Sequence, residues 1–563
     1  MKNTYWRIVV MAFIVSIGGL LLGILANVSG ASEFYRSYFN LKTGSFLEGL
    51  GVSIAMLATF MGTFIAGTLS DKIGRKKSLL IAAFLFSFCT LGSGLATNYT
   101  FFLLSRFIGG FGIGISLVVV PMFIAEFSPS EKRGFWVSFN QLNIGIGFLV
   151  AYVLNSIVIS KVSDPDLVWR WMLGIGVVFP VIYFFLMLFV PESPRWLMMN
   201  GQEERAKKIL ARLGGEQLLK SEMGQMEASS KPSSLQPKTS YKSTWKELFS
   251  KKMRLVVIVA FSVAFFQMAS GFNSIMFFAP KIFRLAGFSG NGSFFQSNLI
   301  GITMVVMTIV SMFLIDRLGR KPLLLIGVSL MAVSVLVSTI VFRQSTFTIK
   351  KADFERVIGD INEVDARFMN EVLVSFSDKK YTNEIEFFHL FRDAVQAKTL
   401  ELVDFKISNP LEFVAFNNHI QEGLMQQQSN EKISKELALT IYSNSKDRLL
   451  DASISINSLL VMIAIIGFII GFSISLGPIT WALLSEVFPG SVRGLGISIA
   501  STLNGIASFV IVTILPIELE YLGSSTTFLI YGLLMVVFIL MVIKWFPETK
   551  GKSLEQIEKE LVR

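Results

Sequence analysis

Acidic and basic residues recur at matching spacings in two parts of the chain. The motif Asp-X-X-Gly-Arg-Lys begins at Asp71 and again at 316, and the motif Glu-X-X-Pro-X-X-X-Arg-Gly begins at Glu126 and again at 486. A Pro-Glu pair follows each second motif, at 191–192 and at 547–548. The charged residues of these landmarks are Asp71, Arg75, Glu126, Arg133, Glu192 and Arg195 in the first copy and Asp316, Arg320, Glu486, Arg493 and Glu548 in the second.

Carboxylate and guanidinium groups at the ends of neighbouring helices can form bidentate, partly desolvated ion pairs. We predict that these pairs hold two halves of the molecule together on one side, and that they break when that side opens. The alternative is that the basic residues only fix the orientation of the chain, with exposed pairs contributing about 0 to 1 kcal/mol each. The repeated spacing favours a gating role.

The composition indicates that lipid surrounds most of the chain. Of its 563 residues, 52% are hydrophobic and 16% are charged, and the mean hydropathy is +0.60. A helix needs about 20 apolar residues to cross a bilayer, and the sequence predicts twelve such helices in two related halves. They are expected near 6–27, 46–69, 77–96, 101–125, 135–158, 169–190, 254–278, 295–315, 322–342, 455–483, 495–517 and 525–546.

The reactive residue types argue against an enzyme. The single cysteine, Cys89, lies inside the third predicted helix, and both histidines, His389 and His419, lie outside all twelve. The sequence contains no nucleophile with its base, no metal-ligand cluster and no phosphate-binding glycine loop. We therefore expect no catalytic residues, no metal site and no cofactor.

The distribution of charge predicts the orientation. The net charge is +11, and the basic residues outside 344–452 cluster in alternate short loops and in the C-terminal tail. By the positive-inside rule these loops and both termini are cytoplasmic. The positive net charge and its placement in alternate loops thus indicate a multi-pass protein of the plasma or bacterial inner membrane. Its partner is expected to be the bilayer rather than nucleic acid.

The spacing of the repeats predicts an insertion. The first landmark repeats after 245 residues, whereas the second and third repeat after 360 and 356 residues. The polar stretch 344–452 has about the length by which these distances differ. It is expected outside the cell, as a small helical cap or as a tolerated loop expansion. The predicted organisation is a six-helix half at 1–190, a cytoplasmic linker at 191–253, helices 7–9 at 254–343, the insert at 344–452, helices 10–12 at 453–546 and a cytoplasmic tail at 547–563.

These landmarks, with several further motifs, resemble the sugar porters of the major facilitator superfamily. The further motifs include Pro121 to Glu126, Pro191 to Leu197, Gly477 to Trp481 and Pro547 to Leu554. The resemblance covers nearly all of the chain except the insert. It implies the major facilitator fold, an all-α membrane protein of twelve helices in two six-helix halves, and sugar transport by alternating access.

The resemblance also implies a sugar site. The residues that match positions binding sugar hydroxyls or stacking on the ring are Gln141, Gln267, Asn273, Trp481 and Asn504. Amides donate and accept hydrogen bonds together, and an indole offers an apolar face with a donor, which suits a polyol. The alternative is that the amides only join membrane helices, at about 1 kcal/mol or less each. We favour binding for Gln141, Gln267 and Asn273.

Several positions depart from the family pattern. Met268, Phe277, Phe278, Met304 and Gly505 stand where the family commonly has hydrogen-bonding or stacking residues. Each change removes a polar or stacking group from the expected pocket. The substrate is therefore expected to be a monosaccharide, a cyclitol or a less hydroxylated ligand.

The position expected to couple transport to protons also differs from the family pattern. Proton-coupled members carry an acid in the first helix near an arginine of the fourth; here Arg106 is present, but the acid is replaced by Leu25 or, with a small alignment shift, by Asn27. Without a titrating group there, facilitated diffusion is the simplest mechanism. The alternative is a symporter with another proton site. The presence of Arg106 is explained as well by a structural role as by a functional one.

Two other classes of function compete with a sugar carrier. One is a nutrient sensor that keeps the fold, which the short C-terminal tail argues against. The other is an exporter of more apolar molecules, favoured by the methionine and phenylalanine replacements but not by the sugar-porter motifs. For all three functions we expect a monomer that binds a small molecule.

Overall fold

The computed structural model describes residues 2–127, 133–213, 241–288, 290–358, 363–408, 430–489, 492–550, 552 and 554–561. Twelve helical segments within these ranges are long and apolar enough to cross a membrane, which confirms the predicted number. Numbered as spans 1 to 12, they are Trp6–Tyr38, Phe46–Ile73, Arg75–Gly94, Tyr99–Phe127, Phe139–Lys161, Pro165–Phe189, Lys251–Phe277, Gly292–Ile315, Arg320–Arg343, Ser458–Leu484, Leu495–Tyr521 and Gly523–Trp545.

Eight spans lie within single helices and four contain breaks. The single helices are Phe46–Ile73, Arg75–Gly94, Tyr99–Phe127, Arg133–Lys161, Gly290–Leu318, Arg320–Arg343, Arg493–Tyr521 and Gly523–Trp545. The broken spans contain Lys2–Ile24 with Asn27–Tyr38 (span 1), Pro165–Gly174 with Val178–Phe189 (span 6), Arg254–Ala269 with Phe272–Phe277 (span 7), and Ser458–Ile474 with Leu476–Val487 (span 10). Span 1 is longer than predicted because its second helix is too polar to show as an apolar run.

The spans expose large apolar side chains on their outer faces. Phe189, Phe295 and Phe64 are among the most exposed hydrophobic residues of the protein. An apolar outer surface of this extent is stable only against lipid, and each helix satisfies its own backbone hydrogen bonds there. The molecule is a multi-pass membrane protein.

Close helix contacts inside the bundle depend on small residues. A Cβ atom added at Gly110 of span 4 would lie 2.2 Å from the Ala55 carbonyl oxygen of span 2, and one added at Gly114 would lie 2.2 Å from the Thr59 carbonyl oxygen. Glycines four residues apart let two helix backbones approach, which is a common packing mode in membranes. Spans 2 and 4 are therefore fixed against each other.

The two six-helix halves meet along spans 2 and 11 and along spans 5 and 8. Ser53 and Thr513 share a hydrogen bond of 2.6 Å between spans 2 and 11. Because the number of spans is even, both chain ends lie on one side of the bundle, here called the terminal side. The segment 344–452 follows span 9 and lies on the opposite side.

The described parts of segment 344–452 form a small helical unit. Its helices are Phe354–Ile358, Glu363–Phe376, Glu384–Ser408 and Asn430–Ser453, and the strands Thr346–Phe347 and Ile454–Ser455 pair antiparallel where the segment leaves and rejoins the bundle. Phe347, Phe376, Phe387 and Phe391 are buried together. The segment thus has an apolar core of its own.

The remaining helices lie outside the spans, at Pro194–Met199, 203–213, Tyr241–Leu248, Ala279–Leu285 and Leu554–Leu561, and 3-10 turns occur at Ile175–Val177, Lys251–Met253 and Lys351–Asp353. The linker predicted at 191–253 contains the helices at Pro194–Met199, 203–213 and Tyr241–Leu248, and its residues 214–240 lie outside the described part of the structure.

Candidate functional site

Two of the predicted sugar-binding amides are hydrogen-bonded to each other. Asn504 of span 11 donates from Nδ2 to Gln267 Oε1 of span 7 at 2.9 Å and to the Ala264 carbonyl at 2.7 Å. Gln267 donates from Nε2 to the Leu476 carbonyl of span 10 at 2.9 Å. Spans 7, 10 and 11 therefore meet at one buried amide cluster, which fixes the orientation of Gln267.

Helix breaks position this cluster. Span 10 is interrupted at Ser475, directly before the Leu476 carbonyl that Gln267 contacts, and span 7 is interrupted at Gly271, which has φ +81°. A Cβ atom at Gly271 would also lie 2.6 Å from the Tyr531 ring, so this break requires glycine. Broken helices in transporters free backbone groups where they line a binding site.

Asn273 lies two residues beyond Gly271, in the first turn after the break in span 7. Its Nδ2 donates to Ser508 Oγ at 2.7 Å and lies 3.1 Å from Met268 Sδ. Ser508 also lies 3.3 Å from Met56 Sδ of span 2, so it touches both halves. The sequence reasoning did not select Ser508, although it follows Asn504 by four residues and shares its helix face.

The other two predicted binding residues stand apart from the cluster. Gln141 of span 5 is half-buried, and Trp481 of span 10 is 45% exposed. Among the described residues no hydrogen bond connects either of them to Gln267, Asn273 or Asn504. Their role in binding stays a prediction.

The residues that depart from the family pattern are packed inside the protein. Phe277, Phe278 and Met304 are buried, and the Phe277 ring meets the Phe148 ring of span 5 edge-on at 5.7 Å. Gly505 leaves room for Phe60, which an added Cβ would approach to 2.9 Å. Phe277 and Gly505 therefore lie at apolar contacts between the halves.

The predicted charge network of the first half is formed on the terminal side. Arg75 makes a bidentate ion pair with Glu126, at 2.8 Å from Nη2 and 3.0 Å from Nε, and also contacts Asp71 at 2.9 Å. Glu192 accepts from the backbone N–H groups of Arg75 and Lys76, at 2.9 and 3.1 Å, and so caps the start of span 3.

The second half repeats this arrangement. Arg320 contacts Glu486 at 3.0 Å, and Glu548 accepts from the backbone N–H groups of Arg320 and Lys321, each at 3.1 Å. Arg493 donates to the Phe488 carbonyl at 3.1 Å. Arg195 is exposed, and the side chains of Arg133 and Asp316 lie outside the described part of the structure.

All of these terminal-side ion pairs lie within one half, whereas the prediction placed them between the halves. Between the described side chains, the ion pairs that join the halves lie on the opposite side. Lys281, just after span 7, contacts Glu48 of span 2 at 2.6 Å, and Arg284 contacts Glu33 of span 1 at 2.8 Å. The bundle is therefore closed on the side of segment 344–452.

Segment 344–452 joins this closed side. Asp451 lies 3.6 Å from Arg284, Lys446 forms an ion pair with Glu520 of span 11, and Glu384 accepts from Ser524 N at 2.9 Å and Ser524 Oγ at 3.1 Å. Ser524 lies in the first turn of span 12, where free backbone N–H groups favour a carboxylate.

Arg106 and Asn27 line one small cavity between spans 1, 3, 4 and 6. Arg106 is 2% exposed, and its Nη2 lies 3.4 Å from the Val52 carbonyl. Leu25 lines the cavity as well, but Asn27 is its polar residue from span 1. In the described ranges no group of three or more His, Cys, Asp or Glu residues is placed to hold a metal ion.

A model of the family described as "Sugar (and other) transporter" matches residues 6–353 and 437–561. The chain belongs to this family. It is a sugar transporter of the major facilitator superfamily and not an enzyme. The two matched parts leave out 354–436, which falls within the segment between spans 9 and 10.

Curated relatives of this sugar transporter include bacterial carriers. It is 28% identical to the arabinose-proton symporter of Bacillus subtilis, with coverage of 98% of this chain and 94% of that one. It is also 28% identical to the major myo-inositol transporter of Bacillus subtilis, with coverage of 96% of this chain and 92% of that one. The identity to the D-xylose transporter of Levilactobacillus brevis is 28% as well, with coverage of 98% of this chain and 94% of that one.

Solved structures show the same fold. The inward open conformation of the xylose transporter from E. coli superimposes with a TM-score of 0.67 at 22% identity, covering 98% of this chain and all of that one. The proton:xylose symporter bound to 6-bromo-6-deoxy-D-glucose gives a TM-score of 0.63, also at 22% identity. The fold of this transporter is the major facilitator fold.

Proposed function

We propose that this transporter carries a monosaccharide or a polyol such as inositol by facilitated diffusion with alternating access. The observation that carries the proposal is the amide cluster of Gln267 and Asn504, with Asn273 and Ser508 nearby, at the breaks of spans 7 and 10. Amide and hydroxyl groups fixed in this way match the alternating donors and acceptors of a polyol. Relatives that carry arabinose, xylose and myo-inositol support this class of substrate.

Facilitated diffusion is proposed because Asn27 occupies the cavity beside Arg106. An amide does not titrate, so at this position it cannot take up a proton and thereby release Arg106, as a carboxylate would. Proton symport through another group is the competing mechanism.

We also infer that the terminal side faces the cytoplasm and that 344–452 is an extracytoplasmic insert. The basic loops of the terminal side support this orientation. In that orientation the ion pairs of Lys281 and Arg284 close the outer gate. Alternating access then requires these pairs to break before substrate can bind from outside.

Counterflow tests the substrate class. Proteoliposomes loaded with one unlabelled compound should accumulate the same labelled compound transiently when it is a substrate. Xylose, arabinose, glucose and myo-inositol should be compared with mannitol and with an apolar glycoside. Exchange of any monosaccharide or cyclitol supports the proposal, whereas exchange of only the apolar glycoside would favour an exporter.

A further inference from the structure

The ring of Tyr531, in span 12, packs directly on the break in span 7. A Cβ atom added at Gly271 would lie 2.6, 2.7 and 3.0 Å from three carbon atoms of this ring, so the ring contacts the glycine backbone itself. Tyr531 is buried, and its hydroxyl donates to Glu518 Oε2 of span 11 at 2.8 Å. This hydrogen bond fixes the ring, and the ring in turn limits the positions open to the backbone at Gly271.

Glu518 has this tyrosine as its side-chain partner. It lies half-buried within span 11, and in the described part of the structure no lysine or arginine forms an ion pair with it. Glu520, two residues further on, is instead paired with Lys446. A carboxylate within a membrane span is costly unless it is hydrogen-bonded. The bond from Tyr531 is therefore the interaction that stabilises Glu518 in its place.

The short helix after the break, Phe272–Phe277, contacts the first half on the closed side. Tyr152 of span 5 donates to the Met276 carbonyl at 2.6 Å. The next helix carries Lys281 and Arg284, whose ion pairs also join the halves. All of these contacts must separate when this side opens.

The break separates this moving part of span 7 from a part that is held. Gln267 lies four residues before Gly271 and is hydrogen-bonded to spans 10 and 11, whereas Phe272–Phe277 lies directly after it. Movements of this kind are usually absorbed by backbone rotation at a few residues between two rigid elements. Gly271 is such a position, and Tyr531 is the side chain packed against it.

We propose that Tyr531 and Glu518 are positioning residues for transport. Their hydrogen bond holds the break at Gly271 in the conformation that closes the side of segment 344–452, and it is weakened when that side opens. The inference rests on the alternating access proposed above, but it does not depend on which substrate is carried.

Two spin labels report the state of this side in the absence of substrate. Lys42→Cys, exposed in the loop between spans 1 and 2, and Leu459→Cys, exposed at the start of span 10, place one label on each half. Cys89→Ala removes the natural cysteine. Pulsed electron paramagnetic resonance on the purified full-length protein then gives the populations with short and long distances between the labels.

Tyr531→Phe keeps the ring and removes the hydroxyl. It should raise the ratio of long to short distances by about two- to ten-fold, the effect of losing one hydrogen bond that is made in the closed state only. Glu518→Ala should have the same effect, and the double variant should show no further change because both substitutions remove the same bond. Glu518→Gln, which keeps an acceptor for the hydroxyl, should retain the wild-type distances.

Tyr521→Phe and Glu355→Ala make the same changes at exposed positions and should leave the distances unchanged. A merely structural role would lower Tm and leave the two populations as they are in the wild-type protein. Unchanged populations in Tyr531→Phe and Glu518→Ala, or effects that add in the double variant, would overturn the proposal. Because no substrate is needed, a failed counterflow experiment would leave this result unaffected.

Discussion

Lys281 Nζ lies 2.6 Å from Glu48 Oε1, and this ion pair joins the two halves of the transporter. Both side chains are largely removed from solvent, with 14% of Lys281 and 2% of Glu48 exposed. Removing one partner of such a pair leaves a buried charge behind. The pair therefore stabilises the closed state of this side, and the open state must separate it.

The first prediction concerns this gate. Lys281→Met should shift the carrier toward the state that is open on the side of segment 344–452, by about 1 to 3 kcal/mol. The measurement is the rate at which a membrane-impermeant maleimide labels a Ser53→Cys variant at the contact between spans 2 and 11. Labelling should become at least several-fold faster.

The control for the gate is Lys398→Met, which removes two ion pairs with the exposed carboxylates of Glu371 and Glu401 within segment 344–452. It should leave the labelling rate unchanged, because exposed pairs contribute little. Equal labelling in the Lys281→Met and wild-type backgrounds would show that the Lys281 pair does not hold the halves together.

The second prediction concerns the amide cluster. Gln267→Ala should reduce uptake of the transported sugar by at least ten-fold, because the substrate loses a donor and an acceptor and Asn504 loses a partner. Ser508→Ala should cause a smaller loss. Both effects are measured as initial uptake rates normalised to folded protein on gel filtration.

Gln344→Ala, at the exposed end of span 9, is the matched control and should transport normally. Normal uptake by Gln267→Ala would mean that the amide cluster only joins spans 7, 10 and 11.

The third prediction compares the two copies of the charge network. The side chains of Arg75 and Glu126 are each 5% exposed, whereas those of Arg320 and Glu486 are 19% and 20% exposed. Arg75→Met should therefore destabilise the protein by about 3 to 5 kcal/mol, whereas Arg320→Met should cost about 1 kcal/mol or slightly more.

Tm measured for the two variants side by side checks this difference, since each serves as the other's control. Equal losses of Tm would mean that burial does not distinguish the two copies.

The fourth prediction concerns pH. Burial against span 12 raises the pKa of the Glu384 carboxyl, and the hydrogen bonds from Ser524 and the charge of Lys446 offset only part of this effect. Because the pKa in the folded state is raised, the attachment is strongest below the ordinary glutamate pKa and weakens as pH rises through the raised value.

Glu384→Gln, which keeps an acceptor for Ser524, should therefore raise Tm at pH 7.5 and have little effect near pH 4.5. Glu386→Gln, two residues away and exposed, is the control. A gain in Tm that is the same at both pH values would contradict the role of Glu384 ionisation.

Much of the architecture could be predicted from the sequence because hydropathy and helix length are local properties. The twelve spans are correct, and the repeated motifs contain the residues of two matching charge networks. The second helix of span 1 was missed since its polar residues, such as Asn27 and Glu33, show no apolar run. Only the fold reveals that they face the bundle interior.

The pairing of charges could not be predicted in the same way. Whether an ion pair forms within one half or across the two halves depends on how the helices pack, and the distance between the halves changes with conformation. The contacts of Lys281 and Arg284 across the halves join residues more than 200 positions apart in the chain. Likewise, the meeting of Gln267 with Asn504 depends on breaks in spans 7 and 10 that bring three helices together.

The measurement that tests the central claim most directly is uptake of a labelled monosaccharide or inositol into proteoliposomes, with and without an imposed proton gradient. The account predicts uptake that stops at equal concentrations inside and outside, at a rate and an end point that ignore the gradient. Accumulation driven by the gradient would contradict facilitated diffusion and would require a titrating carboxylate elsewhere in the spans.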